Sequence, residues 1–371
     1  MKVVIVCAAG LVSGKEIMTL QLLTALKERG HDVYCISSNW GTPDFKTRLA
    51  ERGIPFSKIR IGFISKTLSW PAIRMTLHQG MYIPKMLFDY RSIIRKQDPD
   101  VVIHTNFHHV FVLYPVIKTN RRNFYWSHEF AGNSSFYQRL FRMFNRKMNL
   151  FIGVSGAIGR SLESLIGTGK VVVVRNGIAA PTGFQRKAER KPYPVIGIVG
   201  QVVDHKGHSV LFDALKDFRT WKQRPSVEII GGGDPVYVNE LRQRAKDLGI
   251  EAIIQWRGFV SDPSEIYGTM DVIVVPTKLP DPYPTVVMEA GLRGIPAIVS
   301  DSGGLPEMVV PGVNGLIFKT GSSEALAAAF RELPAEEDYR KLSDSTKEFA
   351  EKRFSLSNFV DGFEKLITGN G

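Results

Sequence analysis

The sequence predicts an α/β protein of two doubly wound, parallel-sheet domains facing each other across a cleft. Three observations carry that expectation. Short apolar runs alternate with helical patterns in two successive series, the mark of strands wrapped by helices. The stretch FQRKAERKPYP at 184–194 has no apolar periodicity and separates the two series. The length of 371 residues suits two domains, each large enough for its own core.

In the first series, strands are expected at Val3–Cys7, Val33–Ser37, Val101–Thr105, Asn123–Ser127, Leu150–Val154 and Val171–Arg175. The clearest helix is Glu16–Arg29, where Ile17, Leu20, Leu23 and Leu26 share a face and Gly30-His31-Asp32 ends the run. The second series opens with strand Val195–Val199, helix Ser209–Phe218, strand Val227–Ile230 and helix Val236–Leu248. Strands near Ile253–Trp256, Val272–Val275 and Ala297–Ser300 follow, then helices at Glu324–Glu332, Asp338–Arg353 and Ser355–Ile367. The expected organisation is a first domain over 1–180, a linker over 181–194 and a second domain over 195–354. A closing helix over 355–371 is expected to pack back on the first domain.

Composition narrows the class. With 44% hydrophobic and 23% charged residues, disordered and collagen-like readings are excluded. The net charge is +12, and it is unevenly placed: residues 1–180 hold 25 Lys+Arg and 10 Asp+Glu, leaving the rest slightly acidic. Such asymmetry points to an anionic partner for the first half. Two cysteines, Cys7 and Cys35, fall in strand-like runs and read as core residues rather than a disulfide framework or metal site. No run reaches the roughly 18 apolar residues of a membrane span, and the opening run is short for a signal peptide. The expectation is a cytoplasmic protein, peripheral at the inner face of the cell membrane.

In open parallel sheets, ligands bind beyond the carboxyl ends of the strands. After the first strand, Gly10 to Glu16 forms a glycine-containing turn with Gly14 placed for close backbone approach. It is not G-x-G-x-x-G, which argues against a nicotinamide site. After Val195–Val199, Gly200-Gln201 leads to Lys206-Gly207 before a helix, where a lysine can neutralise a diphosphate. After Val272–Val275, four prolines stiffen the segment Pro276 to Ala290. A helix is expected from Thr285 after Pro284, presenting the Thr285 and Val286 amides to an anion. Glu289 then suits ribose hydroxyls, and Asp281 suits a hexose. Ser302-Gly303-Gly304-Leu305-Pro306-Glu307 adds a glycine-rich turn to the same rim.

These residues resemble retaining glycosyltransferase family four, whose members have the two-domain, Rossmann-like GT-B fold. The likeness runs over nearly the whole chain. It rests on Ser13-Gly14-Lys15-Glu16, Gly30-His31, Asn176-Gly177-Ile178, and the E-x7-E segment Asp281-Pro282-Tyr283-Pro284-x4-Glu289-Ala290. Gly294-Ile295-Pro296 and Gly303-Gly304-x-x-Glu307 complete it. Two departures stand out: Asp281 replaces the first glutamate, and Gln201 stands where the family places arginine.

The resemblance implies metal-independent hexose transfer from a nucleotide-diphosphate sugar, UDP- or GDP-linked, with retention of configuration and no resident cofactor. Its donor contacts would be Gly14, Gln201, Lys206, Gly258, Phe259, Tyr283, Pro284, Thr285, Val286 and Glu289. Catalytic roles would fall to His128, Lys206 and Asp281. His104, His108 and His109 are weaker candidates near the same rim. The acceptor, a glycan or lipid-linked molecule, would meet the basic first half at Lys58, Arg60, Lys66, Arg139, Arg142 and Arg146. The acid-free stretch 134–148 reads as a basic amphipathic helix for an anionic membrane, and no nucleic-acid module is present. A sugar-nucleotide epimerase of the same fold, or a catalytically weakened nucleotide-sugar binder, are the alternatives.

Overall fold

The computed structural model describes residues 1–7, 13–39, 43–61, 70, 80–132, 134–184, 194–218, 224–334 and 336–369. The chain divides into two compact units: Met1–Asn176 with Leu356–Gly371, and Gly177–Ser355. Most of the expected linker, 185–193, lies outside the described residues.

The first unit holds seven parallel strands: β1 (Lys2–Val6), β2 (Asp32–Ser38), β3 (Phe56–Ile59), β4 (Val101–His104), β5 (Arg122–Ser127), β6 (Leu150–Gly153) and β7 (Val171–Val173). Their order is β3-β2-β1-β4-β5-β6-β7. Val3 sits beside Val33 on one side and Val101 on the other. Helices cover both faces of such a sheet, so Val3 to Val6 are fully buried and read as an unbroken apolar run. Cys7 and Cys35 are buried thiols, and burial pushes the Cys7 pKa up to about 11. Helix Gly14–Glu28 starts where the Ser13 amide donates to the Glu16 carboxylate at 3.0 Å. The closing helix Leu356–Thr368 belongs to this unit: Phe359 and Phe363 pack on Trp126, and Arg29 and His31 bond Glu364.

The second unit holds β8 (Val195–Val199), β9 (Ser226–Ile230), β10 (Ile254–Gly258), β11 (Val272–Val275), β12 (Ala297–Ser300) and β13 (Gly315–Phe318), in the order β10-β9-β8-β11-β12-β13. Helices His208–Leu215, Pro235–Asp247 and Ser323–Arg331 send Leu211, Leu241 and Leu326 into its core. The chain enters this unit at Gly177, slightly before the apolar pattern suggests. The Ile178 amide donates to the Phe354 carbonyl at 2.8 Å, which ties the crossing strand to the end of helix Glu336–Arg353.

Both sheets reverse strand order beside the central strand, at β1/β4 and at β8/β11. Connections leave those neighbouring strands toward opposite faces, and the gap so formed is where α/β sheets place ligands. Two strands, β3 and β13, were not expected from the pattern. Each is a four-residue edge strand, too short and too exposed on one side for a clear apolar run.

Candidate active site

At the β8/β11 switch point, two loops are laced together. The loop after β8 runs through a single turn of 3-10 helix, Asp204–Lys206. The loop after β11 lies against it: the Thr277 hydroxyl and Lys278 amide both donate to the His205 carbonyl, at 2.9 and 2.8 Å. The Lys278 ammonium pairs with Asp204 at 2.5 Å. The centre of the arrangement is Lys206, whose ammonium donates to Asp281 Oδ2 at 2.8 Å. The next loop joins as well, since the Gly304 amide donates to the Asp281 carbonyl at 2.8 Å. Lys206 and Asp281, separated by 75 positions in sequence, are thus one unit of geometry.

Helix Thr285–Gly291 follows Pro284, whose extended backbone ends the loop. No described residue accepts from the Thr285 or Val286 amide. Glu289, one turn along, is held from below. The fully buried Tyr267 donates its hydroxyl to Glu289 Oε2 at 2.8 Å. Arg293 donates to the Glu289 carbonyl at 2.8 Å, and its guanidinium lies 5.0 Å from the Tyr267 ring and 5.2 Å from that of Phe184. One carboxylate oxygen is therefore fixed by the protein, leaving the other for a ligand. Tyr267→Phe is expected to raise the donor KM by about tenfold with a smaller change in kcat, because one hydrogen bond to a charged group is lost. Steady-state kinetics at saturating acceptor check this; an unchanged KM would remove Tyr267 from the site.

Other expected donor residues are placed variously. Gln201 is exposed at the mouth of its loop. Gly258 ends β10 with φ +65°, and Phe259 beyond it is 83% exposed, an open aromatic face of the kind a base stacks on. Tyr283 is buried, packed edge-on against Phe354, so its side chain serves the core.

In the first unit, Gly14 opens its helix at the carboxyl end of β1, beyond which 8–12 lie outside the described residues. His128 follows β5, its ring 4.2 Å from that of Trp126 and its Nε2 shut off from solvent without a partner among the described residues. Burial and then the Lys15 ammonium push its pKa well below the usual imidazole range, so the ring is neutral at pH 7. His104 is fully buried with both ring nitrogens unpartnered among the described residues, its pKa pushed down to about 3 by burial. His109 is buried too and likewise depressed.

The basic residues expected at the acceptor face separate into kinds. Arg60 stacks over Tyr82 at 3.4 Å, Lys58 is exposed, and Lys66 lies outside the described residues. Arg139, Arg142 and Arg146 are exposed along and just beyond helix Ser135–Asn145. The apolar face of that helix is not free for a bilayer. Leu140, Phe141 and Phe144 are buried in the unit's own core, because the sheet beneath must be covered. Only Phe136, 59% exposed, remains outside.

Two family models match the chain in succession: Glycosyltransferase Family 4 over residues 12–180, and Glycosyl transferases group 1 over residues 181–353. The chain belongs to glycosyltransferase family 4. Its similarity to the lipopolysaccharide core biosynthesis glycosyltransferase LpsE of Rhizobium meliloti is 26% identity over 56% of this chain and 57% of that protein. For the lipopolysaccharide 1,2-N-acetylglucosaminetransferase of Salmonella typhimurium it is 22% over 55% and 58% respectively. The matched stretch thus spans little more than half of these relatives. Anabaena Alr3699/HepE, solved with UDP-glucose, shares the GT-B fold over 100% of both chains, with a TM-score of 0.77 at 20% identity.

Against this family's pattern, the structure adds residues that sequence reasoning missed. Gly231-Gly232-Gly233 follows β9 and crosses the loop after β8: the Gly200 amide donates to Ile230 and Val202 to Gly232. A Cβ on Gly231 would stand 1.7 Å from the Gly200 carbonyl, so no other residue fits there. Three consecutive glycines after a strand were the available signal. Tyr267 had none, since it acts by a contact across the fold, and Arg293, one turn after Glu289, stood in no motif. Among the described residues, no group of three or more His, Cys, Asp or Glu is placed to hold a metal ion.

Proposed function

We propose that this glycosyltransferase family 4 protein is a retaining hexosyltransferase. It moves a hexose from a UDP- or GDP-linked sugar to a glycan or lipid-linked acceptor in cell-surface polysaccharide or glycolipid synthesis. The observation that carries this is the Lys206–Asp281 pair at the β8/β11 switch point, with Glu289 eight residues on and anchored by Tyr267. The names of the curated relatives support the acceptor class.

In this reading the bond from the anomeric carbon to the diphosphate oxygen breaks, and its electron pair leaves on the nucleoside diphosphate. The acceptor hydroxyl oxygen bonds the same carbon from the same face, and its proton passes to a donor phosphate oxygen. Catalysis therefore consists mainly of stabilising charge on the leaving phosphates. Lys206 supplies that charge. On donor binding the phosphates take its ammonium from Asp281, and the freed carboxylate accepts hydrogen bonds from the hexose. Glu289 holds the ribose, and Phe259 with Gly258 backs the base. The neutral His128 fits a group that orients a sugar hydroxyl, not one that carries charge.

The test is nucleotide release from a panel of UDP- and GDP-sugars, with and without lipid extract. Release from one donor that rises with extract supports the proposal. Conversion to a sugar isomer without transfer would mean an epimerase, and tight binding without release a weakened relative. Gln201→Arg is expected to tighten nucleoside-diphosphate binding by about tenfold through an added charge-assisted fork; calorimetry showing no gain would remove Gln201 from the phosphate site.

We also place this protein on an anionic membrane surface, at the cytoplasmic face. Among the described residues no helix is long and apolar enough to cross a membrane. The support is the exposed basic side of helix Ser135–Asn145, along with Phe88 at 72% and Phe136 at 59% exposure. Flotation with anionic vesicles that fades as salt rises is the expected outcome. Recovery in the unbound fraction at every salt concentration would sink the idea.

A further inference from the structure

The first unit carries a second basic feature, away from the carboxyl ends of its strands. A cavity of about 80 Å³ opens between the later turns of helix Ile83–Gln97 and the segment that leads into β5. Val102 and Asn123, the second residues of β4 and β5, line its floor. It therefore lies at the amino ends of these strands, whereas His104 and His128 stand at the carboxyl ends.

Its walls are Tyr90, Arg91 and Arg95 from the helix, and Lys118, Asn120 and Arg121 from the approaching segment. Among the described residues, no carboxylate lines it. Arg121 is set in place by Asp98 at 2.6 Å and the Pro99 carbonyl at 3.0 Å. The segment itself is pinned by Asn123, whose carboxamide donates to the Lys118 and Arg121 carbonyls at 2.8 and 3.0 Å. Arg91, Arg95 and Lys118 have no ion-pair partner among the described residues. Arg91 and Arg95 lie four apart on one helix face, where like charges repel. The Tyr90 side chain is 2% exposed and lines the cavity, and no described residue bonds its hydroxyl. Burial raises the pKa of that hydroxyl above the ordinary phenol range, and the Arg121 guanidinium only partly opposes it, so the group keeps its proton.

We infer that this cavity binds a phosphate group, with the Arg91, Arg95 and Lys118 cations and the Tyr90 hydroxyl as its donors. The volume, several times what one water needs, is enough for an anion of that size. Guanidinium forks, an ammonium and a phenol match the several acceptor oxygens of a phosphate. The favourable placing of cations at a helix C-terminus accounts for Arg95, but not for Arg91, for Lys118 on another element, or for the unbonded hydroxyl. The phosphate has two possible sources, a lipid headgroup or a free anion.

Two arms test this on the full chain in phosphate-free buffer at low salt. Calorimetric titration with inorganic phosphate should show binding that weakens by about tenfold or more in Arg91→Gln/Arg95→Gln/Lys118→Gln, and measurably in Tyr90→Phe. The same binding should persist in Lys206→Ala, which separates it from the donor site. Donor turnover should be unchanged in the triple variant, whose substitutions are on the surface. In the second arm, flotation compares vesicles containing phosphatidate with phosphatidylglycerol vesicles of equal surface charge. A preference for phosphatidate, lost in the triple variant, names the headgroup as the source; no preference, with phosphate binding intact, names the free anion. Phosphate binding that is absent, unaltered in the triple variant, or lost only in Lys206→Ala would overturn the inference.

Discussion

Lys206→Ala is expected to lower kcat/KM for the nucleotide sugar by about 10²–10³, the scale of losing one pre-organised group aimed at developing charge. The effect is at the upper end here because Gln201 stands where the family places a second cation. Lys206→Arg should recover part of the loss, since charge matters more than shape at a diphosphate. Folding should barely change: the Lys206–Asp281 pair is partly open to solvent, and such pairs contribute about 1 kcal/mol or less. Steady-state kinetics alongside thermal unfolding check both statements. A variant that retains wild-type turnover would move the phosphate site away from this loop. Lys278→Ala offers the contrast, because that lysine pairs with the exposed Asp204 and its removal should change turnover little.

Gly207→Ala is expected to be strongly destabilising for the second unit. Gly207 has φ +77°, and a Cβ there would stand 1.8 Å from the Pro276 carbonyl oxygen. Backbone strain of about 1–3 kcal/mol adds to a steric clash of about 1–3 kcal/mol. Their sum is a large part of the roughly 5–15 kcal/mol that holds a domain folded. The two loops must also part, which displaces Lys206. Gly321→Ala is the control. Its φ is nearly the same, +78°, but nothing lies within 4 Å, so only the strain should appear. Calorimetry should show a far larger drop in Tm for Gly207→Ala than for Gly321→Ala. Equal drops would mean that the loops after β8 and β11 are not in the contact described.

The central strands were legible because they are buried on both faces and so written as unbroken apolar runs. β8, β11 and β12 fall where the pattern puts them, at Val195–Val199, Val272–Val275 and Ala297–Ser300. The edge strands β3 and β13 were not legible, since an edge is half-exposed and carries a diluted signal. The helix Ser135–Asn145 was found, but not which way its apolar face turns. A basic amphipathic pattern looks the same whether the apolar face meets a bilayer or a sheet, and here Phe141 and Phe144 meet the sheet's own core.

By itself, the sequence determined the two-sheet α/β class, the family, and the identity of Lys206, Asp281 and Glu289 as the residues to watch. These depend on local periodicity and on spacing along the chain. Only the tertiary structure decided what those residues touch. That Lys206 is held by Asp281, that Tyr267 fixes one oxygen of Glu289, and that Tyr283 turns into the core all follow from which strands become neighbours. The same is true of the excess positive charge. Counting located it in the first half; folding gathered part of it around one cavity at the amino ends of β4 and β5. Strand order is a global result of packing two faces of a sheet at once, and contacts between loops 75 residues apart leave no trace in local pattern.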